Sequence, residues 1–135
     1  ASGLDAAVAG GLLQPLIDAG VDAFHCSQRR FWEPEFDDSD MNLAGWVKKL
    51  TGMPTITVGS VSLDQDFVSQ PSEGDGATSE PASIDRLLEM MDRGDFDLVA
   101  VGRALIANPD WPKVVRSGDP ADLQPYNKAL LAELA

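Results

Sequence analysis

Two short apolar runs end on a glycine followed by a side chain suited to an anion. TITVGS closes on Gly59 and Ser60, and in DLVAVGRAL the run Leu98 to Val101 stops at Gly102 and Arg103. Glycine at a strand end lets a ligand approach bare backbone, a serine hydroxyl can donate to it, and an arginine fork grips phosphate oxygens through two parallel hydrogen bonds. Either motif alone is a common turn. Because both stand at equivalent places on consecutive strand-like runs, Gly59, Ser60, Gly102 and Arg103 are the candidate cofactor-binding residues, and phosphate is the chemistry they suit.

Three similar units position these motifs. Leu4, Val8, Leu12, Leu13, Leu16 and Ile17 recur at helical spacing, Gly20 follows as a left-handed cap, and VDAFHCS reads as a strand. Leu43, Trp46, Val47 and Leu50 form a second helical stripe from Asn42 to Leu50, closed by Gly52 and Pro54 ahead of TITVGS. Ile84, Leu87, Leu88 and Met91, stopped by Gly94, lead into the strand of Leu98 to Val101. Such alternation predicts an α/β fold with a parallel sheet whose strands are covered on both faces. Beyond it, Asn108 is expected to cap a helix begun by Pro109 and ended by Gly118, and a final helix is expected over 120–134.

Two segments interrupt this rhythm, each after a strand. Gln28 to Met41 is charged but holds Phe31, Trp32 and Phe36, and Ser62 to Ala82 reads as a flexible loop rich in glycine, serine and acids. In α/β folds ligands gather beyond the carboxyl ends of strands, which makes both segments candidates for a site wall.

The 135 residues suffice for one unit with a real core. Twenty-two acidic against ten basic side chains leave a net charge of −12, which disfavours nucleic acid and anionic membrane as partners. No apolar run approaches a membrane span, and with no basic and apolar leader pattern among the first residues given, secretion is not expected. The one cysteine, Cys26, forms no internal disulfide, and the expected location is cytoplasmic. Individual residues are read plainly: His25 as a core or barrel-lining side chain, Cys26 as a buried thiol, Tyr126 as part of the last helix, and Trp46 as core. Trp111 is read as packing the start of its helix, and Asp37, Asp38 and Asp40 as solvated acids rather than metal ligands. Trp32 is equally a staple for its loop or a pocket wall.

The stretch VDAFHCSQRRFWEPEF, then NLAGWVKKLTGMPTITVGSV, then DLVAVGRALIANPDWPKVV resembles the carboxyl-terminal part of the old yellow enzyme family, the FMN-dependent ene reductases. Its most specific elements are the GS and GR pair and the LIANPDW after the arginine. The resemblance implies a partial TIM (β/α)8 barrel, with these strands as the sixth, seventh and eighth. It implies that FMN is held through its phosphate by Gly59, Ser60, Gly102 and Arg103, with NAD(P)H as reductant in the parent enzyme. By the same resemblance the loop bearing Arg29, Arg30, Phe31 and Trp32 helps shape the substrate pocket. The family's substrate-anchoring pair and tyrosine proton donor come from earlier strands, so no catalytic residue is assigned here, and an inactive fragment completed by the remaining barrel half is expected. The alternative is a non-catalytic half-barrel that binds phosphate ligands and self-associates.

Overall fold

The computed structural model describes residues 6–64 and 78–134. It is a mixed α/β structure built on a three-stranded parallel sheet, with helices α1 (Ala6–Asp18), α2 (Leu43–Thr51) and α3 (Asp85–Asp92) each preceding a strand. The strands are β1 (Phe24–Ser27), β2 (Thr55–Val58) and β4 (Leu98–Val99), in the spatial order β1-β2-β4. Phe24 pairs with Thr55 and Ser27 with Val58, and Ile56 pairs with Leu98. The three glycines read as helix stops do that work: Gly20, Gly52 and Gly94 have φ of 97°, 68° and 84°, the left-handed region a side chain disfavours.

Helix α2 shows how local chemistry sets the frame. Asn42 caps its start by accepting from the Gly45 N–H at 2.9 Å, and the Gly52 N–H closes its end on the Lys48 carbonyl at 2.8 Å. The same Asn42 side chain, fully buried, donates to the Phe31 carbonyl and to Thr57 Oγ1, both at 3.0 Å. One residue therefore ties a helix start, a loop and the middle strand together.

The core lies between the sheet and the helices α2 and α3, where Cys26, Phe31, Val47, Leu87, Met90 and Phe96 are buried together. The alternation of side chains along each strand gives the sheet two unlike faces. Cys26, Thr55 and Thr57 face this core and are buried. On the other face His25, Ile56 and Leu98 share one row, with Ser27 and Val58 in the next; His25 and Ser27 are exposed and Leu98 is 58% exposed. Helices cover one face of the sheet and leave the other more open, so the cover that apolar strands call for on both faces is not all supplied within this chain, and His25 lies on the open face rather than in the core.

Several expectations about helices also change. On α1, Leu13 and Ile17 are half-buried while Leu12 and Leu16 are exposed, and Leu4 lies outside the described residues. The buried stripe of α3 is Leu87 with Met90, whereas Leu88 is 47% exposed. Trp46 is half-buried on the rim, its ring meeting Phe36 edge-on at 5.1 Å with the Lys49 ammonium above it at 4.9 Å.

Asn108 does not open a helix. It ends a short helix, α4 (Arg103–Ala107), that periodicity is too brief to reveal, and α5 (Trp111–Ser117) begins after Asp110 with Pro112 in its first turn. Gly118, at φ 82°, ends α5 as read, and Trp111 packs at its start. The expected final helix over 120–134 is broken into a 3₁₀ turn (Pro120–Asp122), a strand β5 (Tyr126–Asn127) and a 3₁₀ segment (Lys128–Leu134). Pro125 explains the break, because it has no N–H to donate and drives Gln124 out of helical geometry. Tyr126 is accordingly a buried strand residue, and β5 pairs antiparallel with β3 (Thr78–Ser79).

Of the segment 62–82, residues 65–77 lie outside the described residues, and the expectation of a flexible loop falls largely there. Its described ends are packed: Ser62, Leu63 and Ser79 are buried, and Leu63 bridges to Pro81. Among the described residues no helix is long and apolar enough to cross a membrane.

Candidate functional site

The carboxyl ends of β1, β2 and β4 open onto a cleft of about 500 Å³ whose lining includes Gly59, Ser60, Gly102 and Arg103. The four residues singled out from the sequence are therefore brought together, although 43 positions separate Ser60 from Arg103. Parallel pairing explains this: β2 and β4 end at the same edge, so the residue pairs that follow them become neighbours.

Arg103 is the first residue of α4, and its guanidinium is held by hydroxyls from two directions. Nη2 donates to Ser60 Oγ at 3.1 Å and Nη1 to Ser79 Oγ at 3.2 Å, while the carbon at the centre of the fork sits 5.6 Å from the Tyr126 ring centroid. Ser60 adopts φ 51°, an uncommon conformation for a residue with a side chain, and its hydroxyl donates to the Arg29 carbonyl at 2.8 Å. The Ser60 hydroxyl thus links α4 to loop 28–41 at the border of the cleft, accepting from Arg103 and donating to the Arg29 carbonyl.

The two glycines of the site differ. At Gly59, φ 148°, a Cβ would stand 2.4 Å from the Gln28 carbonyl oxygen, and the Gly59 carbonyl accepts from the Phe31 N–H at 3.0 Å. Its bareness serves the packing of loop 28–41 against β2, not only access for a ligand. At Gly102 a Cβ would meet nothing within 4 Å, and the backbone there stands open toward the cleft.

Loop 28–41 contributes differently from what the sequence led us to expect. Gln28 and the exposed Arg29 line the cleft. Arg30 instead forms a 2.7 Å ion pair with Glu33, and Phe31 is buried in the core, its ring edge-on to Trp32 at 5.2 Å. Trp32 borders a neighbouring cleft of about 470 Å³ that runs to Ser83 and Arg86 at the start of α3 and shares Ser60 and Leu63 with the first. It serves as both staple and wall.

Loop 28–41 is fastened at its base and at its far end. Gln28 donates to the Glu33 carbonyl at 2.9 Å and accepts from the Leu43 N–H at 3.1 Å, closing the loop on itself. Asp40 is exposed as read, and it also binds Arg93 at 2.7 Å and Arg86 at 3.3 Å; hydrogen bonds from Arg93 and then Arg86 hold its carboxyl below the usual range. Asp37 and Asp38 are exposed as read. Burial pushes the Cys26 thiol up to about 11, which leaves it unreactive near neutrality.

Sequence reasoning missed Ser79, Tyr126 and Asn42. Nothing local marks Ser79, whereas Pro125 was a usable sign that Tyr126 does not sit in a helix.

No family model matches the chain. It is similar to a protein named NADH oxidase from Thermoanaerobacter brockii, with 30% identity over 111 residues, covering 76% of this chain. The aligned part is 14% of that protein, so the chain spans about one seventh of its relative's length. The similarity relates this chain to a portion of an oxidoreductase.

Proposed function

We propose that this chain is the FMN-phosphate-binding part of an old yellow enzyme-like flavin oxidoreductase. The observation that carries the reading is the meeting of Ser60 and Arg103 at one cleft, 3.1 Å apart, beyond the ends of adjacent parallel strands. A planar cation, a hydroxyl, an exposed second arginine at position 29 and the open backbone at Gly102 are donors that fit a phosphate monoester. Similarity to a protein named NADH oxidase supports a redox setting. When bound, FMN would supply the hydride chemistry that in this family runs from NAD(P)H to an activated alkene.

The chain's own part is anchorage. Arg103 grips the phosphate oxygens, Ser60 turns its hydroxyl from the Arg29 carbonyl to the anion, and Gly102 admits the ligand to the main chain. The row of exposed His25, half-buried Ile56 and exposed Leu98 supports the further reading of these strands as the sixth to eighth of a β/α barrel, whose interior such side chains would face. A cytoplasmic location accords with the single buried thiol.

Fluorescence titration of FMN tests the assignment. Arg103→Ala is expected to weaken binding by about 1.5–3 kcal/mol, or one to two decades, and Arg103→Lys to restore only part, because lysine keeps the charge but loses the planar fork. Equal affinity in both variants and the parent removes Arg103 as a phosphate ligand.

The exposed Leu98 beside Ile56 favours one second reading, a phosphate-binding half-barrel that self-associates without redox chemistry. Light scattering coupled to size exclusion distinguishes the two: a colourless oligomer that binds phosphate but not flavin supports the second.

A further inference from the structure

The antiparallel pair β3–β5 is separate from the main sheet, yet both of its strands reach Arg103. Ser79 and Tyr126 are partners in its register, both are buried, and they meet the guanidinium through a hydroxyl at Nη1 and through the ring at 5.6 Å. Ser60 meets Nη2 from the end of β2. Tyr126 itself is packed against Leu63 and Ala104, next to Arg103 on α4. The chain entering β5 is fastened by Asn108, which donates to the Gln124 carbonyl at 2.9 Å and accepts from the Gln124 N–H at 2.7 Å. A tail segment and the far end of a long connection are thereby built into one device around one cation.

We infer that β3–β5 is an orienting clamp for Arg103, with Tyr126 as the positioning residue that aims its fork into the cleft. An arginine has many rotamers, and an anion binding to an unheld one must order it. An aromatic face and two hydroxyls restrict the guanidinium's rotamers, so its direction is set before an anion arrives. The inference rests on the phosphate reading of the cleft and deepens it, assigning to the tail a part in ligand affinity.

The test compares FMN with riboflavin, which lacks the phosphate, by fluorescence titration of the full chain. The ratio of their dissociation constants isolates the phosphate contribution from general changes in the protein. The parent chain is expected to prefer FMN, Tyr126→Leu to cut that preference by about threefold to tenfold, and Tyr126→Phe, which keeps the ring, to retain it within about twofold. Ser79→Ala, expected to cut the preference by about twofold to tenfold, provides the same reading if Tyr126→Leu does not fold. A folded Tyr126→Leu, or failing that Ser79→Ala, with the parent's full preference overturns the clamp while leaving the phosphate site intact. A parent chain that binds FMN no better than riboflavin overturns both.

Discussion

Gly59–Ser60 and Gly102–Arg103 look like the same device at the ends of neighbouring strands, but their surroundings differ. Gly59 is pressed against the backbone of loop 28–41, with no room for a Cβ, whereas Gly102 borders open space. The first glycine is a packing requirement and the second leaves the main chain approachable. Ser60 and Arg103 divide the work in a matching way: the serine bridges loop 28–41 and α4, and the arginine carries the charge. Residues of the same type at equivalent strand ends can answer to different physical constraints, and the close contacts decide which.

The largest effect should come from the crowded end. Gly59→Ala combines a collision with the Gln28 carbonyl and an unfavourable positive φ, and is expected to destabilise the chain by about 2–4 kcal/mol in urea unfolding. Gly102→Ala, at φ −104° with open space, should change stability by less than about 1 kcal/mol. Equal losses in the two variants would erase the distinction.

Asn42 sharpens the same contrast, because its hydrogen bonds go to Thr57 and to the carbonyl of Phe31, the residue whose N–H binds the Gly59 carbonyl. Asn42→Ala removes a helix cap and leaves two buried groups without this partner, so a loss of about 2–3 kcal/mol is expected. Amide exchange should quicken across loop 28–41 and α2 while α4 and β5 keep their protection. Uniform quickening would mean that the two ends of the cleft open as one.

The smallest effect concerns the opposite edge of the sheet, where Asp97 joins β4 to its neighbours. Its carboxylate accepts from Lys48 Nζ and from the Thr55 N–H, and these two contacts, the lysine first, hold its pKa below the usual 3.8. A depressed carboxylate contributes stability that is complete above the unfolded value and is lost as pH falls through the folded one. The parent chain should therefore lose this contribution below about pH 3.8. Asp97→Asn should be less stable at pH 7 by well under about 1 kcal/mol, given the partial exposure of the pair, and should show a shallower acid decline. Urea midpoints at pH 7 and pH 3 measure this, and parallel pH profiles would remove Asp97 as a contributor.

Much of the frame and the four-residue cluster was legible in the chain itself. Gly20, Gly52 and Gly94 end helices because a left-handed cap is a local demand. Gly59, Ser60, Gly102 and Arg103 converge because consecutive parallel strands end at one edge, a consequence of the alternating pattern. Tertiary structure alone decided the rest. It placed Phe31 in the core and Trp32 at a cleft, and brought Ser79 and Tyr126 to Arg103 across a strand pairing between residues far apart in the chain. Caps and helical periods are set by neighbours within a few residues and can be read in order. Whether a loop aromatic is buried, or which distant strand adopts a short tail segment, depends on contacts formed only when the chain folds back on itself.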